Sequence, residues 1–455
     1  MSGIALKAVV AVSILAALAL FAIAPAGAAG EPFRAAAVAM VAISLWSTAS
    51  LSIGLTALVF VLLAILAGVP LDTVFAGFQS SAFWLVFGGI VVGVAVRHTG
   101  LGDRIVGVIL AKLPRRYWLV LTGIALAAAA LAFVMPSTFG RVVLLMPIIT
   151  AMADRLGFAP GSNGRSAMVL TAAFTSFLPA GGILPALVPG VVMAGAAETL
   201  YGITIGWGEY FIVNTPVGGL VRGAMVVALM VRLFPAEVGT RAGPESMPAA
   251  TRPERFLGAI LLASLALWCT DTLHGISPGW VGLGAAIVCL WPGLGLVPAK
   301  TLNSGLDVGS LFYVVGVLGM GAMISGSGLA DALAGTMLTL VPLGAGSFQD
   351  VFALHLLAIV LAMFVTSPAL PAVLTPLADT FANATGLPVF TVLMTQVIGF
   401  SNVILPYQAA PIVVALAMGG VGVGPAAKAT LLLTALTILI VLPLTWLWWV
   451  AIGLV

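Results

Sequence analysis

The feature that most constrains this chain is the recurrence of long apolar runs along nearly its whole length. Runs of roughly 17–25 apolar residues are long enough to cross the hydrocarbon core of a bilayer as helices. Such runs lie at about 6–26, 33–47, 51–69, 82–97, 166–194, 212–234, 257–271, 278–296, 309–326, 391–418 and 431–451. The pattern predicts an all-α polytopic membrane protein with about 11 transmembrane helices.

The composition excludes the main soluble classes. Of the 455 residues, 62% are hydrophobic and 7% are charged, whereas soluble proteins have about 45–50% and about 25%. So few charges cannot solvate a soluble enzyme and leave no basic footprint for nucleic acid. Cys269 and Cys289 lie in apolar runs and give neither a disulfide framework nor metal-ligand spacing. We expect no cofactor and no nucleic-acid partner.

Two more apolar segments, at about 118–156 and 351–385, are too long for a single span. Each is broken near its middle, by Met135-Pro136-Ser137-Thr138 in the first and by Thr366-Ser367-Pro368 in the second. Such a segment can be two ordinary spans, or a re-entrant hairpin that enters the membrane and returns to the same side.

The first 30 residues admit two interpretations. Lys7 precedes an apolar run that ends at Pro25, as in a secretory signal peptide. The run is also long enough to span, and the later segments need no cleaved leader. We interpret 1–30 as the first transmembrane helix.

The chain contains an internal repeat. Residues 84–107 align without gaps on 312–335, and both carry the pattern Ser/Thr-Gly-Leu-x-Asp after an apolar run. Further matches are Pro147 with Pro376, Leu178-Pro179 with Leu405-Pro406, and Leu45-Trp46 with Leu267-Trp268. The polar stretch 236–256 is typical of a linker, so the repeats are predicted at 31–235 and 257–455.

The charges predict that the two repeats are inverted. Arg104, Lys112, Arg115 and Arg116 follow the first copy, whereas 332–349 after the second copy contains no Lys or Arg. By the positive-inside rule the first copy faces the cytoplasm and the second faces outward, an arrangement found in secondary transporters. The N-terminus is then cytoplasmic, hairpin 118–156 enters from inside, and hairpin 351–385 enters from outside. We expect a multi-pass protein of the cell (inner) membrane.

These residues together resemble a known family. The succession Leu45-Trp46, Phe83-Trp84, Thr99-Gly100-Leu101, a Ser/Thr-bearing hairpin ending in Pro147, and Leu178-Pro179 is similar to the divalent anion/sodium symporters, the INDY-like dicarboxylate, citrate and sulfate transporters. The resemblance implies a scaffold and a transport domain, a homodimer, and elevator-type alternating access. It also implies that two hairpin tips and two unwound helices, within 166–194 and 391–418, hold the substrate and Na⁺.

The sequence departs from the family at these positions. The family's Ser-Asn-Thr tips are replaced by Ser137-Thr138-Phe139 and Thr366-Ser367-Pro368, and neither has the Asn. The unwound loops also differ, reading Gly181-Gly182-Ile183-Leu184-Pro185 and Gln408-Ala409-Ala410-Pro411-Ile412.

Broken helices suit an anion and a small cation together. Helix ends that meet at membrane depth direct N–H groups and positive dipole ends at one place, which favours a carboxylate or sulfate, while unpaired carbonyls favour Na⁺. Any single hydroxyl can equally bond back to its own helix. The predicted substrate-binding residues are Ser137, Thr138, Arg141, Thr366, Ser367, Asn402, Tyr407 and Gln408. The predicted Na⁺-binding residues are Ser137, Thr138, Gly181, Thr366, Ser367 and Gln408.

Arg141 is the most informative single residue, because an arginine at membrane depth usually faces a cavity or a partner. Three interpretations stay open: Arg141 binds the anion, it takes the position of a Na⁺, or it snorkels toward the cytoplasm. Arg222, one-third into its span, is expected to snorkel. A core without acidic residues favours anion over cation transport.

The sequence therefore predicts a secondary active transporter of small divalent anions, such as a C4-dicarboxylate, a citrate-like acid or sulfate, coupled to Na⁺. The alternative is a sodium-independent exchanger or uniporter, or a carrier of another organic anion. A membrane enzyme is disfavoured because no catalytic pair of residues is evident.

Overall fold

The computed structural model describes residues 3–111, 116–135, 137–238, 249–341, 343–363, 365 and 367–455. Within these ranges the chain is helical and contains no β-strand, which confirms the all-α prediction. The longer helices are Gly3–Ile23, Glu31–Thr48, Ile53–Leu66, Ser81–Thr99, Leu101–Ala111, Tyr117–Val134, Thr138–Arg155, Asn163–Phe177, Val188–Tyr201, Trp207–Asn214, Arg222–Leu233, Arg252–Cys269, Pro278–Leu290, Val308–Gly326, Leu329–Leu340, Ser347–Leu361, Ala378–Thr385, Val389–Phe400, Ala410–Gly419, Val423–Leu436 and Leu442–Ala451.

Six helices in the described ranges are long and apolar enough to cross a membrane: Ala28–Thr48, Ser81–Thr99, Tyr117–Val134, Trp207–Leu233, Val308–Gly326 and Val423–Ala451. Shorter apolar helices lie between them, including Ile53–Leu66 and Pro278–Leu290. The protein is thus a multi-pass membrane protein, and the number of about 11 spans stays a prediction.

Both long segments fold as helical hairpins. Tyr117–Val134 and Thr138–Arg155 flank a turn in which Met135 is extended and the Ser137 hydroxyl accepts a hydrogen bond from the Gly140 N–H at 3.1 Å. In the second segment, Ser347–Leu361 is followed by a turn and by short helical pieces from Leu370 to Thr385. The second leg of each hairpin contains a proline, which has no N–H to donate. Pro147 lies inside the continuous helix Thr138–Arg155, and Pro376 lies in the 3₁₀ turn Thr375–Leu377 between two short helices.

Two helices are broken at comparable places. Asn163–Phe177 is separated from Val188–Tyr201 by residues 178–187, which we call the first break. Val389–Phe400 is separated from Ala410–Gly419 by residues 401–409, the second break. A short 3₁₀ turn lies in each, Pro179–Gly182 and Pro406–Gln408. Proline begins each turn because its fixed φ suits the first position of a helical turn but ends the preceding helix.

The helices outside the hairpins and breaks cross-pair between the two halves of the chain. Ser81–Thr99 packs on Pro278–Leu290, and Ile53–Leu66 packs on Val308–Gly326. At the crossings a Cβ on Gly88 would lie 2.4 Å from the Gly282 carbonyl oxygen, and one on Gly54 would lie 2.6 Å from the Gly309 Cα. Glycine lets the two backbones touch, which is how helices associate without a hydrophobic driving force.

The repeated Leu-Trp pair has the same role in both halves. The Trp46 indole N–H donates to the Ile53 carbonyl at 3.1 Å, and the Trp268 indole N–H donates to the Pro278 carbonyl at 3.2 Å. Each tryptophan therefore ties the end of one helix to the start of the next. The repeat boundaries and their opposite orientation stay predictions.

The second half begins with a capped helix. Thr251 and Glu254 form a capping box at the start of Arg252–Cys269, and Arg104 binds both carboxylate oxygens of Glu254 at 3.0 Å. The Arg104 guanidinium lowers the pKa of Glu254. This pair fastens the amphipathic helix Leu101–Ala111 to the end of the linker.

Candidate functional site

Arg141 lies on the second leg of the first hairpin and is 0% exposed. Its Nη1 donates to the Met135 carbonyl and, at 3.1 Å, to the Ala186 carbonyl. Its Nη2 donates to the Ser176 carbonyl at 2.8 Å and to the Thr138 hydroxyl at 3.0 Å. The guanidinium therefore joins the hairpin turn to Ser176, just before the first break, and to Ala186, near the end of that break.

This environment excludes one of the three interpretations of Arg141. Snorkelling is wrong, because a side chain without exposed surface does not reach the membrane–water interface. The acceptors are three backbone carbonyls and a hydroxyl, the oxygen ligands that suit a bound cation. Nε has no acceptor among the described residues, which leaves one donor free.

Arg222 is the second fully buried arginine, also 0% exposed. Nη1 donates to the Ser401 hydroxyl at 2.9 Å and to the Leu178 carbonyl at 3.4 Å, and Nη2 donates to Asn402 Oδ1 at 2.7 Å. The expectation that Arg222 snorkels was wrong. The residue instead contacts the first residue of the first break and the first two residues of the second.

The two breaks touch each other. A Cβ on Gly181 would lie 2.5 Å from the Ser401 Cβ, so only glycine fits there. The helix Trp207–Leu233 also holds the first break, because the Tyr210 hydroxyl donates to the Gly181 carbonyl and the Thr215 hydroxyl to the Gly182 carbonyl, both at 2.6 Å. The π-helical stretch Thr215–Val221 begins at Thr215 and ends just before Arg222. Such stretches often occur at functional sites.

The second break is held by the second hairpin and by the helix Val423–Leu436. Gln408 accepts from the Ile404 and Leu405 N–H groups at 2.7 Å and donates to the Ala362 carbonyl at 2.9 Å. The Ser367 hydroxyl donates to the Phe400 carbonyl. Asn402 Nδ2 also donates to the Thr434 hydroxyl at 3.0 Å. The hairpin turn and the break are therefore one hydrogen-bonded unit.

The predicted site residues fall into three groups. Those joined to a hairpin turn or a break are Ser137, Thr138, Arg141, Gly181, Ser367, Asn402 and Gln408. Tyr407 is 70% exposed. Thr366 lies outside the described residues. Binding of substrate or Na⁺ by any of them stays a prediction.

Sequence reasoning missed Tyr210 and Thr215, and assigned Arg222 to the surface. The sequence signal for these residues was the pair Thr215-Pro216, a hydroxyl next to a proline inside a predicted span, which lies about two helical turns before Arg222. Across the described ranges, no group of three or more His, Cys, Asp or Glu could hold a metal ion.

Hairpins that meet broken helices at buried positions define a class, the secondary transporters built from repeats. The family model described as the sodium:sulfate symporter transmembrane region matches residues 4–455. The chain belongs to this family, which confirms the resemblance inferred from the sequence and makes it a membrane transport protein.

Three relatives illustrate the similarity. A protein described only as a membrane protein, from Cupriavidus necator, is 26% identical over 73% of this chain and 68% of its own. The L-tartrate/succinate antiporter of Escherichia coli is 24% identical over 74% of this chain and 72% of its own. The citrate/succinate antiporter of Escherichia coli is 29% identical over 58% of this chain and 56% of its own.

Proposed function

We propose that this protein exchanges small divalent organic anions across the cell (inner) membrane without Na⁺ and without chemical change to its cargo. The substrate class follows from family membership and from two relatives that carry succinate with tartrate or citrate. The family description also names sulfate, which has the same charge.

The observation that carries the sodium-independent choice is the carbonyl environment of Arg141. Three carbonyls and a hydroxyl that suit a small cation are already bonded to a guanidinium. The charge that Na⁺ would supply is therefore built into the chain. Na⁺-coupled symport is the second candidate, because the family is described as sodium:sulfate symporters.

The anion is expected between the hairpin turns and the two breaks. The hydroxyl of Ser137 and the unpaired Nε of Arg141 are the proposed donors. Arginine and helix N-termini both favour carboxylate and sulfate. Asn402 and Gln408 orient the second break beside them.

The remaining proposals concern the cycle and the assembly. In the family's elevator mechanism, the hairpins and broken helices move as a body against the cross-paired helices. We also propose a homodimer with cytoplasmic N-termini.

Exchange is tested with purified protein in liposomes. Labelled succinate, citrate and sulfate are added outside vesicles that contain unlabelled succinate or only buffer. We expect rapid uptake of at least one dianion into loaded vesicles and none above protein-free vesicles when they are empty. Equal uptake into both would refute exchange, and no uptake of any dianion would refute the substrate class.

A further inference from the structure

The helix Trp207–Leu233 places a second positive charge where the two breaks meet. Arg222 contacts Leu178 on one side and Ser401 and Asn402 on the other. Its Nε has no acceptor among the described residues. One guanidinium therefore contacts both breaks and keeps a free donor.

No acidic residue in the described part of the chain balances either buried arginine. In the described part of the chain, Arg141 and Arg222 bond to carbonyls, hydroxyls and an amide oxygen, and no carboxylate pairs with either. The ion pairs Arg104–Glu254 and Arg165–Asp154 each include a partly exposed partner. Two guanidinium groups thus lie inside an apolar protein with hydrogen bonds to neutral groups and no carboxylate partner among the described residues.

Hydrogen bonds to neutral groups offset part of the hydration that a buried charge loses, and an opposite charge nearby offsets more of it. A divalent anion brings two negative charges and balances both arginines. A monovalent anion leaves one positive charge unbalanced. The number of buried arginines therefore favours an anion of charge two.

We propose that Arg222 is a specificity-determining and positioning residue, which holds the two breaks together and supplies the second positive charge that selects divalent over monovalent anions. This inference rests on the proposed function and adds the origin of the charge preference. Arg222 acts through its hydrogen bonds to Ser401 and Asn402 and through the electrostatic attraction of its charge for the anion. Direct contact with the anion is not required.

The test compares Arg222→Met and Arg222→Lys with the wild type in detergent, using thermal unfolding with succinate or its monomethyl ester at a pH above both succinate pKa values. The concentration giving half of the maximal stabilisation reports affinity. Arg232→Met is the matched control, because Arg232 is exposed near the end of the same helix.

Wild type, Arg232→Met and Arg222→Lys should all prefer succinate. Arg222→Met should lose about tenfold or more of that preference, through weaker binding of succinate with little change for the monoester. A purely structural role would weaken the binding of both ligands equally and leave the ratio of their affinities unchanged in Arg222→Met.

Three results overturn the inference in distinguishable ways. An unchanged ratio in Arg222→Met refutes it and leaves the proposed function standing. A wild type that binds the monoester as tightly as succinate refutes it even where the methionine variant does not fold. A wild type that no divalent anion stabilises refutes the proposed function as well.

Discussion

At the residue scale, Arg141 shows what a sequence can and cannot predict. Its position one turn past Pro136-Ser137-Thr138 made it a candidate site residue. Its partners Ser176 and Ala186 were not predictable from the sequence. They lie 35 and 45 residues away and contribute backbone carbonyls, which every residue has. A backbone acceptor leaves no compositional trace in a sequence.

If Arg141 stands in for a cation, then removing it should create a cation site. Arg141→Ala leaves the Met135, Ser176 and Ala186 carbonyls facing a cavity, and unpaired buried acceptors cost about 1–3 kcal/mol each. We expect the variant to be destabilised and then partly rescued by Na⁺ but not by choline, whereas wild type responds equally to both salts. Thermal unfolding in matched salts measures this.

Arg232→Ala serves as the control for loss of charge, since that side chain is exposed. An Arg141→Ala protein that is equally stable in both salts would contradict the cation-like role of the guanidinium. So would a wild type that Na⁺ stabilises.

At the element scale, the sequence indicated where helices are interrupted or irregular, through prolines at matched positions. These signals are local, because a proline removes an N–H from the helical turn in which it lies. The contacts that hold the breaks were not predictable, because Tyr210 and Thr215 act through single hydroxyls on carbonyls of Gly181 and Gly182. Serine, threonine and tyrosine of this kind are common in membrane helices and most bond to their own helix.

The glycine crossings are testable elements of the same scale. Gly88→Ala should destabilise the protein by about 1–3 kcal/mol, because the added Cβ would lie 2.4 Å from the Gly282 carbonyl oxygen. Gly284→Ala, two residues after Gly282 on the partner helix and with nothing within 4 Å of the new Cβ, is the matched control. Thermal unfolding of the two variants in detergent gives the comparison.

Equal stability of the two glycine variants would show that the helices Ser81–Thr99 and Pro278–Leu290 can move apart to accept a Cβ at Gly88 without a loss of folding free energy. The cross-pairing of Ser81–Thr99 with Pro278–Leu290 would then not be a rigid contact. Such a result would also weaken the proposal that these helices form the fixed part of the carrier.

At the scale of the whole molecule, the small number of charged residues and their positions support the proposed transport of anions. The chain has 17 Lys and Arg and 14 Asp and Glu, and two of the arginines are fully buried. Composition predicted a membrane protein, and the expectation that acids lie outside the membrane core favoured an anionic cargo. The proposed mode of coupling rests on the groups that surround Arg141, which the sequence alone does not identify.

The most direct test of the account is the sodium dependence of exchange. Vesicles loaded with unlabelled succinate receive labelled succinate in media where Na⁺ is replaced stepwise by choline at constant ionic strength. The account predicts the same initial rate at every Na⁺ concentration, including none, because the guanidinium of Arg141 supplies the cation. A rate that falls to the protein-free level when Na⁺ is removed would contradict it.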